Sequence, residues 1–431
     1  MVKKNLALPT LELKTLPGPD TIRRVELKNG ITILVRENFS SPSVVVSGYI
    51  MGGSLEEPAE KAGLSEFMVS ALMRGTKTRS FQEIYESIES IGATLSIGSG
   101  KHSSAYFGKS LAEDLDLILQ LLSDVLRNPA FPEDQFDRLM AEKLTSLAIR
   151  DQNTGARAHL AFNELAYDGH PYGQPGDGFP ETIRELAVKD LRAIHQKLIG
   201  PQGMVIVVVG GVSVDVVLDL VESIFADWQN AEQAVINPLP SLSPLEGIQR
   251  HEIKLEGKSQ SDVVLGVPGP SRYEPDYLAA VLGNNILGRF GMMGRIGDSV
   301  RVKSGLAYYA ASSLAGGPGP GAWRVVAGVN PENVEKAIDL IITEIREFLE
   351  NGVTEEEITD NQANFIGSLP RQLESNEGVA GAIVHIERYG LGLDYYRRYP
   401  GLVAEITRDQ IHTIANKFLD TENLAIGIAG P

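Results

Sequence analysis

Two stretches of the chain, 220 positions apart (405 minus 185), share one arrangement of apolar and polar positions. In the first, helical spacing of apolar residues over 185–198 is followed by the apolar run 204–209, which predicts a buried strand. In the second, the helical spacing covers 405–418 and the strand covers 424–429 in the same register. An ungapped match of this kind predicts an internal duplication.

A second pair of matching segments lies earlier in each half. Helical spacing over 115–126 leads to a new helix start at Pro132, and spacing over 338–349 leads to one at Thr354. Acidic residues follow both positions, where they suit the exposed N–H groups of a first helical turn. Further strands are predicted at 32–35, 44–50 and 263–267.

These elements predict the α+β class, with two homologous repeats that each contain an antiparallel-rich β-sheet and helices packed on one face. A polar, proline-rich stretch before Gln249 indicates the join between the repeats. We therefore place an N-terminal repeat at 1–235, a linker at 236–250 and a C-terminal repeat at 251–431.

Composition narrows the possible chemistry. The 431 residues include no cysteine, which excludes disulfides, zinc–thiolate sites and thiol nucleophiles. The formal net charge of −17 argues against nucleic acid as a partner and suits basic peptides. No apolar run approaches the roughly 20 residues of a membrane span. Pro9 and Glu12 interrupt a segment that begins like a signal peptide, so we expect a cytoplasmic protein.

Two segments resemble the motifs of a known enzyme family. The first is Gly-Leu-Ser-Glu-Phe-Met-Val-Ser-Ala-Leu-Met-Arg-Gly-Thr at 63–76, and the second is Val-Arg-Val-Lys-Ser-Gly-Leu-Ala-Tyr at 300–308. Both are similar to signatures of the pitrilysin/insulinase-type zinc metallopeptidase family, in its processing-peptidase-like branch. The resemblance covers nearly the whole chain and includes the duplication.

The zinc motif of that family, His-x-x-Glu-His, is absent from the first segment. Its three functional positions hold Glu66, Val69 and Ser70, which we expect on the helix face opposite the apolar stripe. Valine cannot take a proton from water, and serine is a poor zinc ligand. The resemblance therefore implies a degenerate motif that can neither bind zinc nor activate water.

The third zinc ligand of the family, a glutamate in a later helix, falls by alignment at Thr145 or Ser146, and the nearest acid is Glu142. None of the seven histidines forms an i, i+3 or i, i+4 pair with another. His170 lies in a segment that resembles a structural loop of the family. We expect no metal and no other cofactor to be bound by this chain.

Arg301 and Tyr308 match the arginine–tyrosine pair of the family. In two-subunit members, the resemblance implies that this pair faces the zinc site of the other subunit. Arg301 could hold a substrate carbonyl or carboxylate through its fork of donors, and Tyr308 could donate to an oxyanion. The structural alternative is a local ion pair and a tyrosine that caps a sheet. The glycine-rich stretch 316–321 is either a flexible loop that admits a peptide or a plain hairpin turn.

The resemblance implies a non-catalytic subunit of a heterodimeric zinc metallopeptidase. Its partner would be a homologous catalytic subunit with an intact His-x-x-Glu-His motif and the zinc, and its substrate would be a peptide. The alternative is a structural or peptide-binding scaffold without a proteolytic role. A third hypothesis is a hydrolase with a relocated active site.

Overall fold

Two β-sheets with corresponding strand orders organise the chain, as seen in a computed structural model that describes residues 8–236, 238–290 and 294–431. The strands are β1 (Arg23–Glu26), β2 (Thr32–Glu37), β3 (Ser43–Met51), β4 (Thr94–Ser99), β5 (Ser103–Leu111), β6 (Val205–Gly210), β7 (Gln249–Lys254), β8 (Ser261–Pro268), β9 (Ala307–Leu314), β10 (Ala322–Val329) and β11 (Ala425–Gly430). The first sheet has the order β1-β2-β6-β3-β5-β4, and the second has β7-β11-β8-β10-β9.

Both sheets are rich in antiparallel pairs, as predicted. Within the described residues, β2 and β6 run parallel in the first sheet and β7 and β11 run parallel in the second. Every other neighbouring pair of named strands is antiparallel. Apart from the extra edge strand β1, the two orders correspond strand by strand, which supports the duplication.

Helices fill the segments between the strands. They are α1 (Leu64–Leu72), α2 (Phe81–Glu89), α3 (Leu115–Arg127), α4 (Glu133–Asp151), α5 (Thr154–Ala166), α6 (Pro180–Arg184), α7 (Val188–Leu198), α8 (Val214–Phe225), α9 (Tyr277–Gly288), α10 (Gly294–Ile296), α11 (Val334–Asn351), α12 (Glu355–Gln372), α13 (Asn376–Arg388), α14 (Tyr395–Ala404) and α15 (Arg408–Phe418). A π-helix over Gly297–Lys303 continues α10. No helix in the described ranges is long and apolar enough to cross a bilayer.

The repeat appears in the structure at the predicted offset. Helices α7 and α15, and strands β6 and β11, begin and end 220 positions apart. The prediction that these helices begin at Glu185 and Glu405 is wrong by three residues. The Asp190 carboxylate accepts a hydrogen bond from the Ala187 N–H (3.0 Å), and Gln410 accepts one from the Thr407 N–H (2.9 Å), so each helix starts after a capping residue.

Helices of the same repeat cover one face of each sheet. In β6, Ile206 and Val208 point into a core that contains Leu72, Leu122 and Val217 from α1, α3 and α8. The second sheet has an equivalent core beneath α9, α11 and α15. The predicted packing of helices on one sheet face is therefore present within each repeat.

The opposite face of each sheet is covered by a helix from the other repeat, which we did not predict. Val379, Ala380 and Ile383 of α13 pack against the first sheet, on the face that includes Val207. Reciprocally, α5 packs Ala158 and Phe162 against the second sheet. The two helices begin 222 positions apart, so the exchange is itself part of the duplication.

The connection between the repeats is extended. From Ala226 to Ile248, the described residues contain neither helix nor strand. Residue 237, inside the predicted linker, lies outside the described residues, as do residues 1–7 of the predicted N-terminal repeat. The exact boundaries of repeats and linker stay a prediction.

Close approach of α5 to the second sheet depends on Gly427 in β11. A Cβ atom at this position would lie 2.2 Å from the Ala158 carbonyl oxygen and 2.5 Å from the Phe162 nitrogen, both backbone atoms. We expect Gly427→Ala to lower the free energy of unfolding by about 1–3 kcal/mol, because α5 must move away from the strand. Urea-induced unfolding followed by circular dichroism measures the change.

Gly381→Ala in α13 is the matched control. No atom lies within 4 Å of a Cβ built there, and the residue is helical, so this substitution is expected to raise the free energy of unfolding by about 0.5–1 kcal/mol. Equal effects of the two substitutions would contradict the close contact at Gly427.

Candidate functional site

The degenerate motif lies on α1, whose apolar stripe is buried as predicted. Glu66 is half-buried and Ser70 is exposed, which agrees with the outer face expected for them. The expectation for Val69 is wrong, because its side chain is only 1% exposed and belongs to the first core. Helix α4 packs against α1 and contributes Leu139 and Leu147 to the same core.

An ion pair joins α1 to α4 beside the degenerate positions. The Lys143 ammonium donates to the Glu66 carboxylate at 2.5 Å, and the lysine side chain is 12% exposed. A second pair joins Arg74 to Glu142, also at 2.5 Å. Lys143 lies 77 positions from Glu66 in the chain and belongs to no motif, so sequence reasoning missed this contact.

The residues present do not fit a zinc ion. Thr145 and Ser146 are exposed on α4, and the Thr145 hydroxyl donates to the Ala141 carbonyl at 2.8 Å. Glu66 has a carboxylate, but this group already forms an ion pair with the Lys143 ammonium. Throughout the described ranges, no group of three or more His, Cys, Asp or Glu side chains is arranged to hold a metal.

Glu57 holds the start of α1, a role that the sequence did not reveal. Its two carboxylate oxygens accept hydrogen bonds from the backbone N–H groups of Gly63 (2.8 Å) and Ser65 (2.6 Å). These bonds satisfy donors that a helix leaves free at its first turn. Burial raises the pKa of Glu57 to about 6, and the two hydrogen bonds oppose that rise.

Arg301 lies in the π-helix, and its side chain is half-buried. The backbone folds back directly after it, because the Gly305 N–H donates to the Arg301 carbonyl (3.2 Å) and the Leu306 N–H donates to the Val300 carbonyl (3.0 Å). Gly305 adopts φ +64°, a conformation that favours glycine. This turn leads from the arginine directly into β9.

Tyr308 occupies a β-bulge at the start of β9, the edge strand of the second sheet. In the ladder with β10, Ala307 pairs with Val329 and Tyr309 pairs with Gly328, so Tyr308 has no partner. Its side chain is 65% exposed. Bulges commonly re-aim a side chain at the edge of a sheet.

Tyr309, the residue that follows Tyr308, anchors the bulge through its side chain. Its hydroxyl donates to the buried Asp262 carboxylate, which also accepts a hydrogen bond from Thr154 of α5. Asp262 therefore connects the strand that carries Tyr308 to the helix contributed by the first repeat. No sequence motif pointed to Asp262 or Tyr309.

The candidate residues form two separate groups. The turn brings Arg301 and Tyr308 to one edge of the second repeat, whereas the degenerate positions belong to the first repeat. Among the described residues, no hydrogen bond or ion pair joins the two groups, and neither Arg301 nor Tyr308 has an ion-pair or side-chain hydrogen-bond partner. The glycine-rich stretch forms the connection of the β9–β10 hairpin, where the Pro320 carbonyl accepts from the Tyr167 hydroxyl (2.8 Å).

The chain belongs to the insulinase family, peptidase family M16. Residues 32–175 match the sequence profile of that family, and residues 185–365 match that of the peptidase M16 inactive domain. The fold and its duplication agree with this membership, which confirms the resemblance seen in the motifs.

Relatives and solved structures cover nearly the whole chain. An uncharacterized zinc protease of Streptomyces coelicolor is 25% identical over 421 residues, covering 96% of this chain and 90% of the relative. A peptidase M16 inactive domain from Pseudomonas fluorescens has a TM-score of 0.88 at 25% identity, over 95% of this chain and 98% of that one. A protease from Helicobacter pylori shares the fold with a TM-score of 0.90 at 21% identity, over 96% of this chain and 100% of that one.

One further relative is a subunit of a larger assembly. The bovine mitochondrial cytochrome b-c1 complex subunit 1 is 28% identical over 294 residues, covering 67% of this chain and 59% of that protein.

The raised pKa of Glu57 predicts a pH dependence. Because the folded pKa lies above the ordinary value of 4.5, the stabilising contribution is complete below pH 4.5 and is lost as the pH rises through about 6. Relative to Glu57→Gln, the wild type is expected to gain about 2 kcal/mol of unfolding free energy as the pH falls through this window. Urea unfolding at a series of pH values measures it.

Glu60→Gln removes the same charge from an exposed position in the same loop and is the control for general charge effects. A difference between wild type and Glu57→Gln that does not change with pH would show that Glu57 is not desolvated.

The Lys143–Glu66 pair predicts a measurable coupling. In a double-mutant cycle with Lys143→Met and Glu66→Gln, we expect a coupling free energy of about 0.5–1 kcal/mol, since Glu66 is about one-third exposed. The coupling should shrink in about 1 M salt, which screens partly exposed charges. Unfolding midpoints of the four proteins give the value, and a coupling near zero at low salt would count against the pair.

Proposed function

We propose that this chain is a non-catalytic subunit of a heterodimeric zinc metallopeptidase and contributes substrate-binding and transition-state-stabilising residues to its partner. The observation that carries the proposal is a contrast between the two repeats. On the first repeat, Val69, Ser70 and the Lys143–Glu66 ion pair stand where the metal chemistry would be. On the second repeat, Arg301 of the π-helix and Tyr308 of the edge strand β9 have no side-chain hydrogen-bond or ion-pair partner among the described residues.

Each residue of the pair suits a defined step of peptide hydrolysis. The planar Arg301 guanidinium offers parallel donors that hold a substrate carbonyl or carboxylate in one orientation. The Tyr308 hydroxyl can donate to the oxyanion that forms on the scissile carbonyl, where a hydrogen bond is worth most in the transition state. Exposure of Tyr308 suits a residue that acts outside its own chain.

The partner in this proposal is a homologous catalytic subunit that carries an intact His-x-x-Glu-His motif and binds the zinc. The substrate is a peptide, and the net charge of −17 favours basic ones. A cytoplasmic location and the lack of a nucleic-acid partner remain predictions.

A scaffold role is the second candidate. It is favoured by the relative that is a subunit of the bovine cytochrome b-c1 complex. A scaffold that lacks a proteolytic partner has no need for a half-buried arginine and an exposed tyrosine without local partners, so the subunit role explains more of the structure.

The test is a peptidase assay of this chain mixed with a homologous subunit that carries the intact motif, using a fluorogenic basic peptide. We expect activity only in the mixture. Arg301→Ala and Tyr308→Phe should each lower kcat/KM by roughly 100-fold, because each removes a donor to the reacting carbonyl. Gel filtration of the mixtures shows whether the variants still associate with the partner.

Arg371→Ala and Tyr273→Phe are matched controls, because both residues are exposed and lie outside the pair. Activity of this chain alone, or full activity of mixtures containing the Arg301 and Tyr308 variants, would contradict the proposal. Association with the partner but no activity in any mixture would favour the scaffold.

A further inference from the structure

A cavity of about 330 Å³ lies where the loop after α3 meets α7 and the segment after α8. Its lining includes the cationic side chains of Lys77, Arg127 and Arg192. No aspartate or glutamate lines it among the described residues, although the chain has 56 acidic and 39 basic side chains. The cavity thus has the opposite charge to the protein as a whole.

Two of the three cations are free to bind a ligand. Arg127 is held in place by Asp227 (2.9 Å), by the Ile224 carbonyl (2.9 Å) and by the ring of Trp228. Lys77 and Arg192 are exposed and have no carboxylate partner in the described part of the chain. The Arg192 guanidinium donates a long hydrogen bond to the Ala130 carbonyl at 3.5 Å. Two of the positive charges that line the cavity are therefore uncompensated within the described residues.

Phe131, which lines the cavity, has an unusual backbone conformation. Phe131 has φ +51° and is the one non-glycine residue with positive φ in the described ranges. A bulky residue rarely adopts this region of φ, and such strained positions concentrate at functional sites. The Phe131 ring is buried and meets the His195 imidazole edge-on, with 5.9 Å between ring centres.

His195 adds a polar group to the same wall. Its Nε2 hydrogen-bonds to the Leu126 carbonyl at 2.8 Å, so this nitrogen carries the proton. Nδ1 has no partner among the described residues and is not enclosed by protein. Lys77, Arg127 and Arg192 are the charged groups that line the cavity around this ring.

We propose that this cavity binds a phosphate ester, with Lys77 and Arg192 holding the phosphate group and the apolar wall around Phe131 holding the organic part. A phosphate dianion matches the two uncompensated charges, and the guanidinium fork suits phosphate oxygens. The volume lies at the lower end of the range for small-molecule sites, so the ligand is a small one. The site lies on the first repeat and does not depend on Arg301 and Tyr308.

The test is isothermal titration of the full chain with phenyl phosphate, inorganic phosphate and benzoate. We expect saturable one-to-one binding of phenyl phosphate, weaker binding of inorganic phosphate because it lacks the apolar part, and weaker binding of benzoate because it is a monoanion. Lys77→Gln and Arg192→Gln should each weaken phenyl phosphate binding by about tenfold, in line with the loss of one charged hydrogen bond. Both positions are exposed, and circular dichroism checks that the variants fold.

Lys189→Gln is the matched control, because Lys189 is exposed on the same helix as Arg192 but does not line the cavity. It should leave the affinity within about twofold, because its ammonium group does not line the cavity and its exposed charge is screened by solvent. A short phosphoserine peptide distinguishes the source of the phosphate, because tighter binding than phenyl phosphate would assign the site to phosphorylated protein segments. Equal losses in all three variants, or no binding of phenyl phosphate at about 10 mM, would overturn the proposal.

Discussion

The reciprocal burial of α5 and α13 is the contact on which the rest of the structure depends. Strand side chains alternate between the two faces of a sheet, and in β6 both sets are apolar valines and isoleucines. Helices of the same repeat cover one of these faces, so the other face needs a cover from elsewhere. Each repeat supplies that cover to its neighbour, and neither sheet is fully removed from water without the other repeat.

Contacts within the first core hold together the helices α1 and α4, which carry the degenerate positions. Helix α1 is held by its apolar stripe and by Val69, which is buried in the first core. The Lys143–Glu66 pair joins α1 to α4 and requires only two side chains. A zinc site would require three or four ligands in a fixed geometry. Packing and the ion pairs Lys143–Glu66 and Arg74–Glu142 therefore join these elements without metal ligands.

Irregular backbone marks both surfaces to which we assign a role. Arg301 comes from a π-helix and Tyr308 from a β-bulge, and the cavity that we propose as a phosphate-ester site is bordered by Phe131 with its positive φ. Regular helices bring together side chains three or four positions apart, and regular strands those two apart, whereas a bulge turns a side chain out of that period. Asp262 stabilises one such departure through Tyr309, and it does so with the help of Thr154 from the other repeat.

The sequence alone predicted the duplication, the two sheets, seven of the fifteen helices named in the described residues and the absence of the zinc ligands. These follow from local periodicity and from residue identity, because burial of a strand or a helix face leaves its pattern in consecutive positions. Only the tertiary structure decided that α5 and α13 exchange sheets, that Val69 is buried, and that Lys143 meets Glu66. Such contacts join residues far apart in the chain, so they cannot be predicted from the spacing of residues within one segment.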